Sequence, residues 1–207
     1  MRFQLLTILL LCSAASAMAS DPTLTVITPR GVQRGAEHVL TFSGARLKDA
    51  EEILFYEPGF EVVKIEPDAE NANIVRATVK VAPDVELGEK AAQVRTKTGI
   101  SDYRTFFVGA LPAVAEKEPN TEFGTPQPIE QGVTVEGVIQ SEDVDYFVVD
   151  AKKGQRLSVE VEGMRFGQTL FDPYIAILDK ERFELSAVDD SPLVRQDAVT
   201  SIIVPED

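Results

Sequence analysis

Glu116, Glu118 and Asn120 stand at positions i, i+2 and i+4. In an extended segment that spacing points all three side chains the same way. Two carboxylates and an amide carbonyl are hard oxygen donors, and calcium collects about six to eight such oxygens. The chemistry suggested is cation binding rather than bond cleavage. The competing reading is structural: Asn120 and Asp145 cap turns while the glutamates stay solvated. A chain with 34 Asp+Glu against 20 Lys+Arg, net −14, also gathers carboxylates by chance.

No other group of residues suggests a reaction. Asp189-Asp190-Ser191 before Pro192 could pair carboxylates for acid–base work, but Asp and Ser bonding their own backbone make it a turn. His38 is the sole histidine and Cys12 the sole cysteine, so neither a transition-metal site nor a recognisable triad can be assembled around them. No serine sits in a Gly-x-Ser-x-Gly elbow, and no glycine loop could cradle phosphate. The expectation is a chain that is not itself an enzyme. The absence of tryptophan points away from a carbohydrate-stacking platform. Most aromatics, Tyr56, Phe147 and Tyr174 among them, fall in strand patterns and are expected in cores. Phe60 and Phe166 are core residues by the same default, although they lie beside glycines in loops and could be exposed.

The elements that must position these residues are strands. Val75, Ala77, Val79 and Val81 alternate through Ile74–Val81, and Leu157–Glu162 does the same. A period of two puts the apolar side chains on one side of a half-buried strand. Similar runs lie at Leu24–Thr28, His38–Ser43, Glu52–Tyr56, Val62–Glu66, Ala91–Thr96, Thr105–Val108, Thr134–Ile139, Asp145–Asp150, Tyr174–Leu178 and Thr200–Val204. Turn signals such as Pro29-Arg30-Gly31, Thr98-Gly99 and Lys153-Gly154 separate them. Many short strands at this spacing predict an all-β chain of two tandem β-sandwiches. Ala45–Glu52 alone has helical character, enough for a single turn. The small apolar stretch 109–115 turns charged at Glu116-Lys117-Glu118, as a linker would. The predicted division is 1–19 leader, 21–109 first sandwich, 110–117 linker and 118–207 second sandwich.

The first sandwich resembles the IPT/TIG family of immunoglobulin-like domains. The residues that carry this are Pro22–Gly35 (PTLTVITPRGVQRG), His38–Leu47, Ile53-Leu54-Phe55, Gly88, Val94-Arg95-Thr96, Thr98-Gly99 and Phe106-Phe107-Val108. Gly35 and Gly44 flank a strand where a side chain would clash or the backbone needs positive φ. The resemblance implies a spacer or binding surface and no reaction.

The second sandwich carries Glu118-Pro119-Asn120, Val135–Ile139, Glu142–Phe147, Lys153–Val159, Leu170–Leu178 and Asp189-Asp190. That order resembles the bacterial pre-peptidase C-terminal (PPC) domain, a jelly-roll-like sandwich appended to exported proteins. Relatives in clostridial collagenases hold calcium and bind collagen. Carried over by position, the resemblance implies ligands at Glu116, Glu118 and Asn120, then Glu142 or Asp143 with Asp145. Where those relatives place an aspartate straight after the asparagine, this chain has Thr121, then Glu122. It also stops at Pro205-Glu206-Asp207, where the family continues into a hairpin and final strands. The second sandwich is therefore expected to be incomplete, as a piece of a longer protein or with an exposed edge.

At the N-terminus Met1-Arg2 precedes the apolar run Phe3–Cys12 and then small residues to Ser20. That is the layout of a secretory signal peptide, cut after Ala19 or after Ala17. The apolar run is about half the roughly 20 residues a bilayer span needs, so no membrane insertion is expected once it is removed. Cleavage also removes Cys12, leaving no disulfide. The negative field repels nucleic acid and anionic membranes and favours cationic partners or divalent metal. The functional expectation is an exported bacterial module pair, periplasmic, on the cell surface or extracellular. It would space or anchor by binding an extracellular protein or polysaccharide, stiffened by calcium. The alternative is the accessory front end of a secreted hydrolase, a protease for preference, whose catalytic domain lies beyond Asp207.

Overall fold

The alternation at Ile74–Val81 becomes a central strand in the computed structural model, which describes residues 20–140, 143–167 and 171–206. The predicted signal peptide lies outside the described residues. Val75, Ala77 and Val79 are fully buried and Val81 nearly so, because a pleat with period two sends them all to one side.

Eight strands make the first sandwich: β1 (Thr23–Thr28), β2 (Gly31–Gln33), β3 (Glu37–Ala45), β4 (Ala50–Phe55), β5 (Phe60–Pro67), β6 (Ile74–Val81), β7 (Gly88–Thr96) and β8 (Arg104–Gly109). They form two four-stranded sheets, β1-β3-β6-β5 and β2-β8-β7-β4. The inward residues of both merge into one apolar cluster that includes Leu24, Leu40, Phe42, Val94, Phe106 and Val108. Register follows the pattern, with Leu40 opposite Ala77 and Phe42 opposite Val75. Burying a side chain of this size contributes about 1.5–3 kcal/mol, so this cluster dominates the stability of the first half.

The two glycines around β3 act in the two ways expected. Gly35 takes φ +78°, and a Cβ on Gly44 would lie 1.9 Å from the Thr23 carbonyl oxygen. Ala45–Glu52 holds one turn, closed by Ala50 N–H donating to Leu47 O at 3.1 Å, before the chain enters β4. Leu47 is fully buried at that turn. Phe60 packs against the core, stacking on Phe55 at 4.5 Å, and both rings meet the edge of Phe106.

Beyond residue 110 the strands are short: β9 (Ala113–Ala115), β10 (Gln127–Pro128), β11 (Thr134–Glu136), β12 (Phe147–Val148), β13 (Arg156–Glu160), β14 (Ile175–Leu178), β15 (Glu184–Val188) and β16 (Val199–Ile203). They pair two by two: β9 with β11 and β10 with β12 in parallel, β13 with β16 and β14 with β15 antiparallel. Single turns of 3-10 helix occur at Met164–Phe166 and Pro192–Val194. Residues 113–115 of the predicted linker are thus the strand β9. The buried apolar side chains described here are Ile175, Ile177, Ala198 and Val204, while Val138, Phe183 and Leu193 are exposed. Two-stranded sheets are marginal alone in water, so this half depends on polar contacts to hold its loops.

Tyr56, Phe147 and Tyr174 lie at the surface rather than in a core. Each stands at or beside the end of a strand, where the sheet no longer offers a covered face. Among the described residues, no helix is long and apolar enough to cross a membrane.

Candidate metal centre

Glu116 follows β9, and its backbone N–H donates to Glu136 O at 2.9 Å in the neighbouring β11. Parallel pairing of the two strands therefore fixes where the Glu116 side chain starts. Its carboxylate turns back over the end of β11, accepting from Val138 N–H at 2.9 Å. There it lies so close above Gly137 that a Cβ on that residue would sit 2.3 Å from Oε2. A side chain there would displace the Glu116 carboxylate. This contact also explains why the run predicted to continue to Ile139 leaves the sheet after Glu136.

Asn120 is fully buried. Its N–H donates to Glu118 Oε2 at 3.1 Å, and its Nδ2 donates to Glu116 Oε1 at 3.3 Å. Its carbonyl oxygen accepts from Tyr146 N–H at 2.9 Å, which brings Asp145 alongside. Glu116, Glu118 and Asp145 each offer a carboxylate oxygen, and these lie within 4.8 Å of one another. Two buried oxygens in the group, Asn120 Oδ1 and Asp145 Oδ1, have no hydrogen-bond partner. Leaving such an acceptor unmet costs about 1–3 kcal/mol. Desolvation pushes the Asp145 carboxyl up to about 6, and the charges of Glu116, Asp143 and Glu118 add to it.

Of the six sequence candidates, the structure brings together Glu116, Glu118, Asn120 and Asp145. Asp143 spends its carboxylate on Gln140 N–H at 3.3 Å and Val144 N–H at 3.1 Å, and acts on Asp145 only through its charge. Glu142 lies outside the described residues. The donor set suits calcium: three carboxylates, one amide oxygen, two of the oxygens orphaned. His38 has a structural partner instead, its Nε2 meeting Gln33 O at 2.8 Å.

The same strands join the two halves of the chain. The Glu136 carboxylate accepts from Arg30 N–H in the turn before β2, and Phe107 N–H donates to Arg30 O at 2.7 Å. Gln33 Nε2 donates to Ala110 O at 3.2 Å. Glu136 thus takes part through its side chain in the junction and through its carbonyl in the metal group.

No protein-family model matches the chain, and no curated protein matches it. Two solved structures align over most of its length. One is SGBP-B of the Bacteroides ovatus mixed-linkage glucan utilization locus, in complex with a mixed-linkage heptasaccharide. It is 9% identical over 86% of this chain and 34% of that one, with a TM-score of 0.31. The other is domains 5–6 of the S-layer protein SbsC, 11% identical over 90% of this chain and 99% of that one, also at 0.31. The chain spans about a third of the length of the first. At this distance the functional argument rests on the residues of the chain itself.

A second polar group, which the sequence reading missed, closes the loop between β13 and β14. Asp197 is fully buried and accepts from Gly163 N–H at 3.1 Å, Met164 N–H at 2.6 Å and Arg165 Nε at 2.6 Å. Arg165 also reaches Glu160 at 2.6 Å and Glu162 at 3.7 Å. Burial pushes the Glu162 carboxyl up to about 7, with Arg165 pulling it down and Glu160 and Asp197 pushing it further up. Its ordinary value is 4.5, so the folded chain holds a proton that the unfolded chain releases. Stability is therefore full below about pH 4.5 and falls as pH rises to about 7. Glu162→Gln is expected to match the parent at pH 4.5 and exceed it at pH 8 in urea unfolding by about 2 kcal/mol, less than the roughly 3.4 of a sealed carboxyl because this one is partly exposed and screened by solvent. Equal stability at pH 8 would show that the carboxyl is not held protonated.

Proposed function

We propose that the chain is a non-catalytic pair of exported binding modules, an IPT/TIG-like sandwich over 21–109 and a PPC-like one over 118–207. Calcium at the 110–117 junction holds their relative orientation. The observation that carries this reading is the buried Asn120, whose Oδ1 has no partner while three carboxylates crowd beside it. Glu116, Glu118, Asn120 and Asp145 would hold the ion, Asp143 adding negative charge nearby. Bound calcium supplies positive charge that cancels the carboxylate repulsion and satisfies the orphaned oxygens.

The consequence is mechanical. Glu116 is anchored to Glu136, and Glu136 to Arg30 of the first sandwich. An ion gripping Glu116 and Asp145 therefore stiffens the path between the halves, so that binding faces on both are presented together to an extracellular polymer. Calcium titrated calorimetrically into the leaderless chain is expected to fill one site with submillimolar to millimolar affinity, the range of extracellular modules. Asp145→Ala is expected to abolish the heat. No binding at 10 mM would overturn the metal reading.

A further inference from the structure

The outer face of the β2-β8-β7-β4 sheet carries an exposed aromatic pair that neither the core nor the metal centre uses. Ile53, Phe55, Ala92, Val94 and Phe106 point inward, so Leu54, Ala91 and Gln93 alternate outward, with Tyr56 just past the end of β4 and Tyr103 just before β8. Register sets Leu54 opposite Gln93. Tyr56 is 63% exposed and Tyr103 57%, their rings edge to face at 6.2 Å. Tyr56 Oη donates to Gln93 Oε1 at 2.9 Å, and Gln93 Nε2 donates to Ser101 O at 2.5 Å. The Tyr56 ring is thus tied to the sheet through Gln93, and the Tyr103 ring packs against it.

We propose that this face binds a neutral polysaccharide chain by stacking pyranose rings on Tyr56 and Tyr103, with Gln93 and the tyrosine hydroxyls taking sugar hydroxyls. A pyranose offers one face of C–H groups and a rim of hydroxyls. That matches amphipathic rings with a polar tip beside a side-chain amide. Rings already fixed lose little freedom on binding, which favours affinity. The charges around the pair are two cations against three carboxylates: Arg95 with Glu51 at 2.6 Å and Glu52 at 2.8 Å, Arg104 with Asp102 at 3.0 Å. That local surplus of negative charge and the net charge of −14 both repel an anionic ligand. An extended peptide would pair with backbone along the β4 edge, whereas the polar groups beside the rings are side chains, the Gln93 amide and the Tyr56 hydroxyl. Strand β8 carries the face on to Phe107, with the Arg165 guanidinium 6.0 Å from its ring.

This proposal rests on the binding-module reading, and the test separates the two. The leaderless chain would be run through native gels containing hydroxyethylcellulose, galactomannan or polygalacturonate, and passed over immobilised gelatin. Retardation by at least one neutral polysaccharide and none by polygalacturonate is expected. Tyr56→Ala/Tyr103→Ala is expected to weaken binding at least tenfold by isothermal titration, and Tyr56→Phe by less. Both rings are exposed, so the thermal midpoint of the double variant should stay with the parent's. Retardation that persists undiminished in the double variant, or retention by gelatin alone, would overturn this face as a glycan site while leaving a binding module. Retention by none of the four would overturn the binding-module reading as well.

Discussion

Asp197→Ala is expected to lower the stability of the region beyond residue 110 by about 3–5 kcal/mol, the usual cost of breaking one half of a buried ion pair. Asp197 gathers three neighbours at 2.6–3.1 Å, all more than 30 positions earlier in the chain. It is therefore a cross-link between distant segments rather than a local cap. Removing it leaves the N–H groups of Gly163 and Met164 unmet and the Arg165 guanidinium with Glu160, Glu162 and, at 3.5 Å, the Val161 carbonyl. Around it there is little apolar burial to compensate, since Ala198 is small and Ile175 and Ile177 belong to a two-stranded sheet. Asp197→Asn keeps the shape and loses the charge, so its loss should be smaller, about 1–2 kcal/mol. Asp190→Ala, at an exposed position in the turn before Ser191, should change nothing beyond about 0.5 kcal/mol. Urea midpoints of the three variants rank these outcomes. Equal losses for Asp190→Ala and Asp197→Ala would mean that the Asp197 cross-link contributes nothing particular.

The two halves were unequally legible in the sequence, for a physical reason. In the first, one face of each central strand is packed to full burial, so alternation and structure agree, as at Val75, Ala77 and Val79. In the second, pairs of strands replace a continuous sheet. The run Asp145–Asp150 pairs only at Phe147–Val148, and Glu184–Val188, lacking strict alternation, became a strand that the pattern did not reveal. Leu157 and Val159 alternate as expected but are only half-buried.

The metal group divides in the same way. The spacing of Glu116, Glu118 and Asn120 was readable because an extended segment has a fixed period. That Asn120 is sealed from water, with an orphaned oxygen, depends on Tyr146 packing from 26 positions away and shows only in three dimensions. Asp143 was expected as an alternative to Glu142 beside Asp145, and its carboxylate instead accepts from the backbone of Gln140 and Val144. Asp197 was not singled out because its partners are all non-local. Tyr56 was assigned to the core since a strand pattern does not tell which face of a sheet is covered.

Calcium is the other large effect expected. Without it, the Asp145 carboxyl is held near 6 by burial and by its acidic neighbours, so near neutral pH three carboxylates crowd together as anions. An ion that binds only the folded arrangement stabilises it by RT ln(1 + [L]/Kd), about 2.7 kcal/mol at a hundredfold excess over Kd. For a unit of this size that is a rise of about 10 °C or more in its unfolding midpoint. Asn120→Ala should lose most of the gain, although it removes no charge, because the orphaned oxygen goes with it.

The most direct test is differential scanning calorimetry of the leaderless chain at pH 7.5, first in EDTA and then in 10 mM calcium, for the parent, Asn120→Ala and Asp145→Ala. The account predicts that calcium raises the parent's transition by about 10 °C, with the rise lost in Asp145→Ala and largely lost in Asn120→Ala. Superimposable parent scans in EDTA and calcium would contradict it, as would a rise of equal size in all three proteins.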